Sequence, residues 1–398
     1  MKKFLFFYLS FFLICQQKYI EKVAVVNIEV PVRVYKNGKF VDNLKKEDFI
    51  VLENGVPQRI VAFYLIKRKE IKYKEAETYL QPQVNRSFFL FFRLYKYTNL
   101  LNKGLENFVK EVLAPGDSLH IFTPYKNYLL RKEALIKVPR QRLAQELKDL
   151  IRKDVFRATT RYRNLLSELK QIVRQVRNSV LNTEESSFYD SSWTVERLIN
   201  RYEQIVEEMN YLIGADEEEF LKFAEFLKGI KGKKYVFIFF QREFIPKLDN
   251  RSLNILLQAF HDNPSLLIKI QQLFTFYHKS IFIKQEELEK YFADSGASLH
   301  FIYVKTEKET REYAEEATDE FYNSFLTIAK ATGGGVYSTY NPSAGFEKAL
   351  KESENYYLIY YQPSNTRFDG KFRKITVKLK KKGYKVQYKR GYFARPLD

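Results

Sequence analysis

The sequence predicts an α/β chain: an open, mostly parallel sheet with helices on both faces and a helical insertion, joined to a small all-β unit formed from both chain ends. Three patterns predict it. Short apolar runs, Ser87 to Phe92, Leu119 to Phe122, Tyr235 to Phe240 and Leu299 to Val304, alternate with helix-period stretches, the order expected of parallel strands with crossover helices. Period-two alternation is concentrated near the two ends. Residues 142–214 contain no convincing strand and read as two or three long helices. The 398 residues leave room for two or three folded units at about 150 residues each.

Composition narrows the class. Hydrophobic residues make up 45% and charged residues 29%, with 15 Gly and 11 Pro, which excludes collagen-like, low-complexity and disulfide-knot chains. Lys and Arg outnumber Asp and Glu by 67 to 48, a formal net charge of +19, so an acidic, solvating protein is excluded and an anionic partner or surface comes into view. Charge alone does not choose among nucleic acid, lipid and polysaccharide. The abundance of Lys, Phe, Tyr and Ile with little Ala is also a compositional bias, which lowers the weight of the charge argument.

From the N-terminus, Lys2 and Lys3 precede an apolar run from Phe4 to Cys15 broken only by Ser10. That is the length of a secretory h-region and short of the roughly 20 residues that span a bilayer. Residues 1–17 are expected to be a signal peptide and the protein to be exported, whether periplasmic, at the cell surface or extracellular. The mature chain should have no transmembrane helix. Cys15, the only cysteine, is a lipidation candidate at the end of the run. Ile14 before it is bulkier than a lipoprotein signal peptidase prefers, so acylation at Cys15 and ordinary cleavage beyond Gln17 stand as alternatives.

Residues 18–80 read as a β segment. Val26, Ile28, Val30, Val32 and Val34 alternate with Asn27, Glu29, Pro31, Arg33 and Tyr35, and Pro31 suggests an edge strand. Asn37-Gly38 and Asn54-Gly55 are hairpin turns, with strands at Asp48 to Glu53 and Gln58 to Leu65. Residues 353–398 mirror this. Tyr356 to Tyr361 is one strand, Ile375, Val377 and Leu379 mark another, and Tyr384, Val386 and Tyr388 a third beyond a Lys382-Gly383 turn. A two-stranded ribbon is not stable alone, so the two segments should pack as one unit. Between them, residues 86–352 carry the parallel sheet. In the insertion, basic residues such as Arg152, Arg157, Arg161 and Arg174 precede acidic ones such as Glu203, Glu207 and Glu208, which favours a salt-bridged antiparallel hairpin over a binding arm.

Five blocks then carry a resemblance. Phe40-Val41-Asp42-Asn43-Leu44-Lys45-Lys46-Glu47-Asp48-Phe49, followed by Glu53-Asn54-Gly55-Val56-Pro57-Gln58, resembles the opening of bacterial secreted proteins related to von Willebrand factor A. Leu113-Ala114-Pro115-Gly116-Asp117-Ser118, Ile328 to Tyr337 with its Gly333-Gly334-Gly335 run, Tyr356 to Pro363 and Arg390-Gly391-Tyr392 are similar to later parts of that family, in order. The resemblance implies a von Willebrand A-type, Rossmann-like fold. It also implies a metal-ion-dependent adhesion site, in which Asp-x-Ser-x-Ser, a Thr and a further Asp hold Mg²⁺ through hard oxygen ligands. Here the matching positions are Arg93, Tyr95 and Tyr97 in the first loop and Gln241 and Arg242 in the fourth, with Thr159 or Thr160 left for the third. A degenerate site without metal is expected, unless Glu243 is the ligand at an offset of two residues. Arg93, Tyr95, Lys96, Thr159 and Gln241 are the candidate partner-binding cleft, able instead to receive an anionic group directly.

No enzyme is expected. His120, His261, His278 and His300 lack metal-type spacing, no Gly-x-Ser-x-Gly elbow occurs, and Thr332-Gly333-Gly334-Gly335 follows a helix rather than opening one, as a C-cap and tight turn would. Neither cofactor nor metal is anticipated. Lys374, Lys378, Lys380, Lys382, Lys385, Lys389 and Arg390 form a second candidate, an anionic-surface patch on the last hairpin, although lysines at a sheet edge also guard against aggregation. The functional expectation is a secreted or envelope-attached, non-enzymatic binding or adhesion module with a protein partner. The alternative is a binder of envelope polysaccharide, lipid phosphate or nucleic acid through the lysine-rich hairpin.

Overall fold

The computed structural model describes residues 26–68, 70–76, 80, 82, 85–131, 133–181, 185–213, 217–275, 284–305, 314–316 and 319–396. The expected signal segment and Cys15 lie outside the described residues. The chain begins with β1 (Ile28–Lys36) and β2 (Lys39–Phe40), joined through Asn37 and Gly38 at φ 50° and 76°, the paired positive values of a type I′ hairpin. Asn54 and Gly55, at 48° and 86°, repeat the device between β3 (Phe49–Glu53) and β4 (Val56–Lys67). β5 (Glu70–Ala76) folds back on β4.

The middle of the chain runs through β6 (Arg86–Arg93), α1 (Asn99–Asn107), β7 (Ser118–Phe122), β8 (Asn127–Leu130), α2 (Ala134–Lys137), α3 (Arg140–Leu181), α4 (Glu185–Ile213) and α5 (Glu217–Lys228). It continues through β9 (Lys233–Gln241), β10 (Phe244–Pro246), α6 (Asn250–Ala259), α7 (Pro264–Ile270), α8 (Gln285–Asp294), β11 (Ala297–Val304), β12 (Ala314–Glu316), α9 (Asp319–Ala331), β13 (Val336–Thr339) and α10 (Pro342–Ser353). The last strands are β14 (Asn355–Gln362), β15 (Phe372–Leu379), β16 (Lys385–Tyr388) and β17 (Gly391–Phe393).

The pairing of these strands corrects the expected fold class. The largest sheet is antiparallel and nine-stranded, in the order β16-β1-β14-β4-β3-β15-β17 with β2 on β1 and β5 on β4, curled into a half-barrel. The second sheet, β13-β11-β9-β6-β7-β8, is mixed: β8 follows β7 through a tight turn closed by Thr123 N–H donating to the Lys126 carbonyl, and so runs antiparallel. The molecule is therefore a mixed α/β structure dominated by an antiparallel sheet, not an open, mostly parallel Rossmann-like sheet of von Willebrand A type with a small β annex. Alternation gave the terminal strands their faces but not their number of neighbours, which is why the β unit looked small. Pro31 is likewise not on an edge strand, since β1 lies between β14 and β16. It is tolerated because the β16 ladder starts only at Val32.

Four apolar cores hold these layers. Val30, Val32, Val34, Phe63, Tyr357, Ile359, Ile375 and Val377 fill one face of the nine-stranded sheet, and Val61, Ala62, Tyr64 and Leu358 fill the other. Phe88, Leu90, Phe92, Phe237 and Phe239 bury one face of the mixed sheet against α1, α10 and the start of α3, while Phe89, Phe91, Val236, Ile238 and Phe301 bury the other against α5, α8 and α9. Each such side chain contributes about 1.5–3 kcal/mol. The insertion is an antiparallel helix pair with its own core of Tyr162, Leu165, Leu169 and Val176 against Val195, Ile199 and Tyr202. Arg161–Glu208 and Arg201–Glu168 bridge its two helices, each pair largely exposed and so of small energetic weight. Among the described residues no helix is long and apolar enough to cross a membrane.

Candidate binding surfaces

The first candidate cleft lies where β6 and β9 end side by side, with Arg93 opposite Phe240 in the register. The structure brings Arg93, Tyr95, Lys96 and Gln241 together there and gives most of them internal tasks. The Lys96 N–H donates to Gln241 Oε1 at 2.9 Å, and the Tyr95 hydroxyl donates to the Arg242 carbonyl at 2.6 Å. The Tyr95 ring stacks on Tyr162 of α3, centroids 4.0 Å apart. Thr159 is buried, and its hydroxyl donates to the Val155 carbonyl one turn back in the same helix. Arg93 is half-buried, and burial lowers its pKa while Glu219 works the other way. The constellation is a pinned joint between the first strand and the insertion. Tyr95 and Gln241 fasten it, and Arg93 sets a cation beside them at the end of β6.

Sequence reasoning missed the polar contacts that join the two sheets. Glu29 and Arg33, on the face of β1 opposite Val30 and Val32, point toward the mixed sheet. Arg33, 2% exposed, donates to the Gly333 carbonyl at 2.9 Å and to Ser298 Oγ at 3.3 Å. Glu29 pairs with Lys233 and accepts from the Tyr360 hydroxyl at 2.6 Å. Burial opposes its charge, but Lys233 and Tyr360 more than offset this and hold its pKa below the ordinary carboxylate value. Lys234 is pushed down to about 8 by burial, with Lys389 and Lys233 adding repulsion. The glycine run serves the same joint. Gly333, at φ 72°, ends α9 and touches Tyr388, and a Cβ on Gly334 would stand 1.7 Å from the Leu299 carbonyl oxygen. A second missed group is Asp154, 3% exposed, which accepts from Thr123 Oγ1 at 2.7 Å and the Tyr128 hydroxyl at 2.8 Å.

The candidate lysines are divided between separate places, and they are not on a hairpin. β15 pairs with β3 and β17, whereas β16 pairs with β1, so the strands flanking Lys382-Gly383 part company. Lys378, Lys380, Lys382 and Lys385 are exposed around that turn, and Lys36 Nζ, 5.5 Å from the Tyr384 ring centroid, brings the β1–β2 turn beside it. Exposed Lys39 extends the group, and Asp48 reaches Lys381 at 3.3 Å. Lys374 lies at the far end of β15. Lys389 is drawn inward, its pKa lowered by burial, and Arg390 faces Glu289 at 3.7 Å. Among the described residues no three His, Cys, Asp or Glu side chains gather as a metal-holding group.

No family model matches the chain, and no curated protein matches it. Among solved structures, the human COPII-coat protein Sec24c aligns at 9% identity with a TM-score of 0.30, over 78% of this chain and 44% of that one, a likeness too slight to carry any inference.

Proposed function

We propose that the chain is an exported, non-enzymatic binding module that engages a phosphate-bearing envelope polymer through the lysines of the β15–β16 turn. The observation that carries this reading is the concentration of Lys36, Lys39, Lys378, Lys380, Lys382 and Lys385 on two adjoining turns, all exposed. Their ammonium groups are independent point charges on flexible stems, suited to a disordered polyanion rather than to one planar group. A protein docking at Arg93, Tyr95 and Gln241 has less support, because Tyr95 and Gln241 are already committed within the chain. Export rests on Lys2, Lys3 and the apolar run to Cys15, and the block resemblance to secreted proteins agrees with it.

The test is binding of inorganic polyphosphate to the full chain across a salt series. Affinity should fall steeply with ionic strength, and a Lys380→Glu, Lys382→Glu, Lys385→Glu variant should flatten the log–log slope by about two to three, near one released counterion per lost lysine. An unchanged slope would remove the turn from the binding surface.

A further inference from the structure

At the other end of β15 the fold builds a different surface. β14 ends at Gln362 and the chain returns as β15 at Phe372, and in the sheet β4 and β3 lie between those strands. Residues 363–371 must therefore cross the end of the β3–β4 hairpin. The crossing is fastened along its length. Ser364 N–H donates to Gln58 Oε1 at 2.8 Å, Gln58 Nε2 donates to Ser364 Oγ at 3.1 Å, and Lys374 N–H donates to Asn54 Oδ1 at 2.8 Å. Gly370 N–H donates to the Ala394 carbonyl, and Ala394 N–H returns a bond to the Lys371 carbonyl.

On this fastened end two apolar side chains stand in solvent, Val56 at 53% exposure and Phe368 at 45%. Arg59, Arg367, Lys371 and Lys374 are exposed in the same two segments. The one carboxylate in residues 54–59 and 363–374, Asp369, is engaged by Arg373 at 2.9 Å. A polyanion needs the cations but not an aromatic tip. A bilayer with anionic headgroups uses both, with apolar tips entering the headgroup–acyl boundary while Lys and Arg stay at the phosphates.

We infer that the Val56–Phe368 end of the nine-stranded sheet docks on an anionic phospholipid surface. Because the loop is already held by hydrogen bonds, little ordering entropy is lost on docking. The lysine turn at residues 380–385 lies a full strand away, roughly 24 Å along β15, and would face outward from the membrane. This inference does not depend on the polymer-binding reading.

The apolar run from Phe4 to Cys15 would carry the full chain to any vesicle, so the readout must be local. Trp193 is the only tryptophan, so a Trp193→Phe, Phe368→Trp chain reports on the loop alone. With mixed phosphatidylglycerol–phosphatidylcholine vesicles its emission should move to shorter wavelength and be quenched by brominated acyl chains, and both effects should be absent with phosphatidylcholine alone. Adding Arg367→Glu and Lys371→Glu should weaken the response about tenfold or more. Adding Lys380→Glu, Lys382→Glu and Lys385→Glu should leave it intact. Unshifted emission on anionic vesicles, an equal shift on neutral ones, or loss of the shift through the distant lysines would each overturn the inference.

Discussion

Replacing Asp117 by Asn should cost far more than a loop substitution usually does. Arg86 opens β6 and Asp117 immediately precedes β7, its parallel neighbour. The guanidinium donates through Nη2 to Asp117 Oδ2 at 2.7 Å and through Nε to Oδ1 at 3.3 Å, and Nη2 also donates to the Val112 carbonyl. Asp117 is fully buried and Arg86 is 8% exposed. Asparagine keeps the shape, and its carbonyl oxygen can still accept from the Ala114 N–H, which donates to Asp117 Oδ2 at 2.9 Å. The change removes the charge and, with the amide oxygen at the Oδ2 position, also sets an NH2 donor opposite the Arg86 Nε–H in place of Oδ1. Two unit charges about 4 Å apart interact by about 4 kcal/mol at an effective dielectric of 20, and stranding one partner of a buried pair typically costs about 3–5 kcal/mol. The unfolding free energy from urea titration followed by circular dichroism should fall by that amount, seen as a lower midpoint at unchanged slope. Arg86→Met combined with Asp117→Asn should be less damaging than Asp117→Asn alone, because no uncompensated cation remains. A loss below about 1 kcal/mol for the single variant, or strict additivity in the pair, would refute the reasoning.

Three further outcomes follow from the joint between the sheets. Gly334→Ala would set a methyl 1.7 Å from the Leu299 carbonyl oxygen and should cost about 3 kcal/mol or more, whereas Gly229→Ala, whose nearest contact is 3.6 Å, should cost under about 1 kcal/mol by the same unfolding assay. Lys234, buried at about 8 against 10.5 unfolded, binds fewer protons when folded between those values, so wild-type stability rises with pH across that window. Lys234→Met should accordingly be more stable than wild type by about 1–2 kcal/mol at pH 7, after allowing for the lost bond to the Ile230 carbonyl, and the advantage should vanish near pH 10.5. Deleting residues 356–398 strips β1 of both its long partners, β14 and β16, and hydrogen exchange in Ile28–Lys36 should become fast; retained protection would mean that β1 is held by something other than those strands.

What the sequence made legible depended on whether one residue type could satisfy a local requirement. Asn37-Gly38 and Asn54-Gly55 announced hairpins because a type I′ turn needs positive φ twice, and Asn and Gly accept it. Lys382-Gly383 looked similar, yet only Gly383 has positive φ, at 87°, and the Lys380 N–H donates to the Asp48 carbonyl. The chain therefore leaves β15 toward β1 instead of folding back. Alternation along β1 separated Val30 and Val32 from Glu29 and Arg33 correctly, but it could not report that a second sheet would cover the polar row. Arg33 shows the consequence: its hydrogen-bonding partners, Ser298 and Gly333, are about 270 and 300 residues away in sequence.

The candidate sites divide along the same physical line. Residue type and position placed Arg93, Tyr95 and Gln241 at strand ends, where open sheets commonly bind ligands, but only tertiary packing could show that Tyr162 of the insertion stacks on Tyr95 and that Gln241 is spent on the Lys96 backbone. Asp154 was readable in principle. It interrupts the buried stripe Ile151, Val155, Ala158 and Tyr162 of α3, and a carboxylate on such a stripe requires partners, here the hydroxyls of Thr123 and Tyr128. Phe368 carries the complementary signal, a large apolar residue between Arg367 and Asp369 in a segment with no periodicity to explain it. A buried acid departs from what folding alone would select, whereas a single exposed aromatic does not. Asp154 is resolved inside the chain, and Phe368, 45% exposed on a fastened loop, bears on membrane docking only together with the exposed Arg367 and Lys371 beside it.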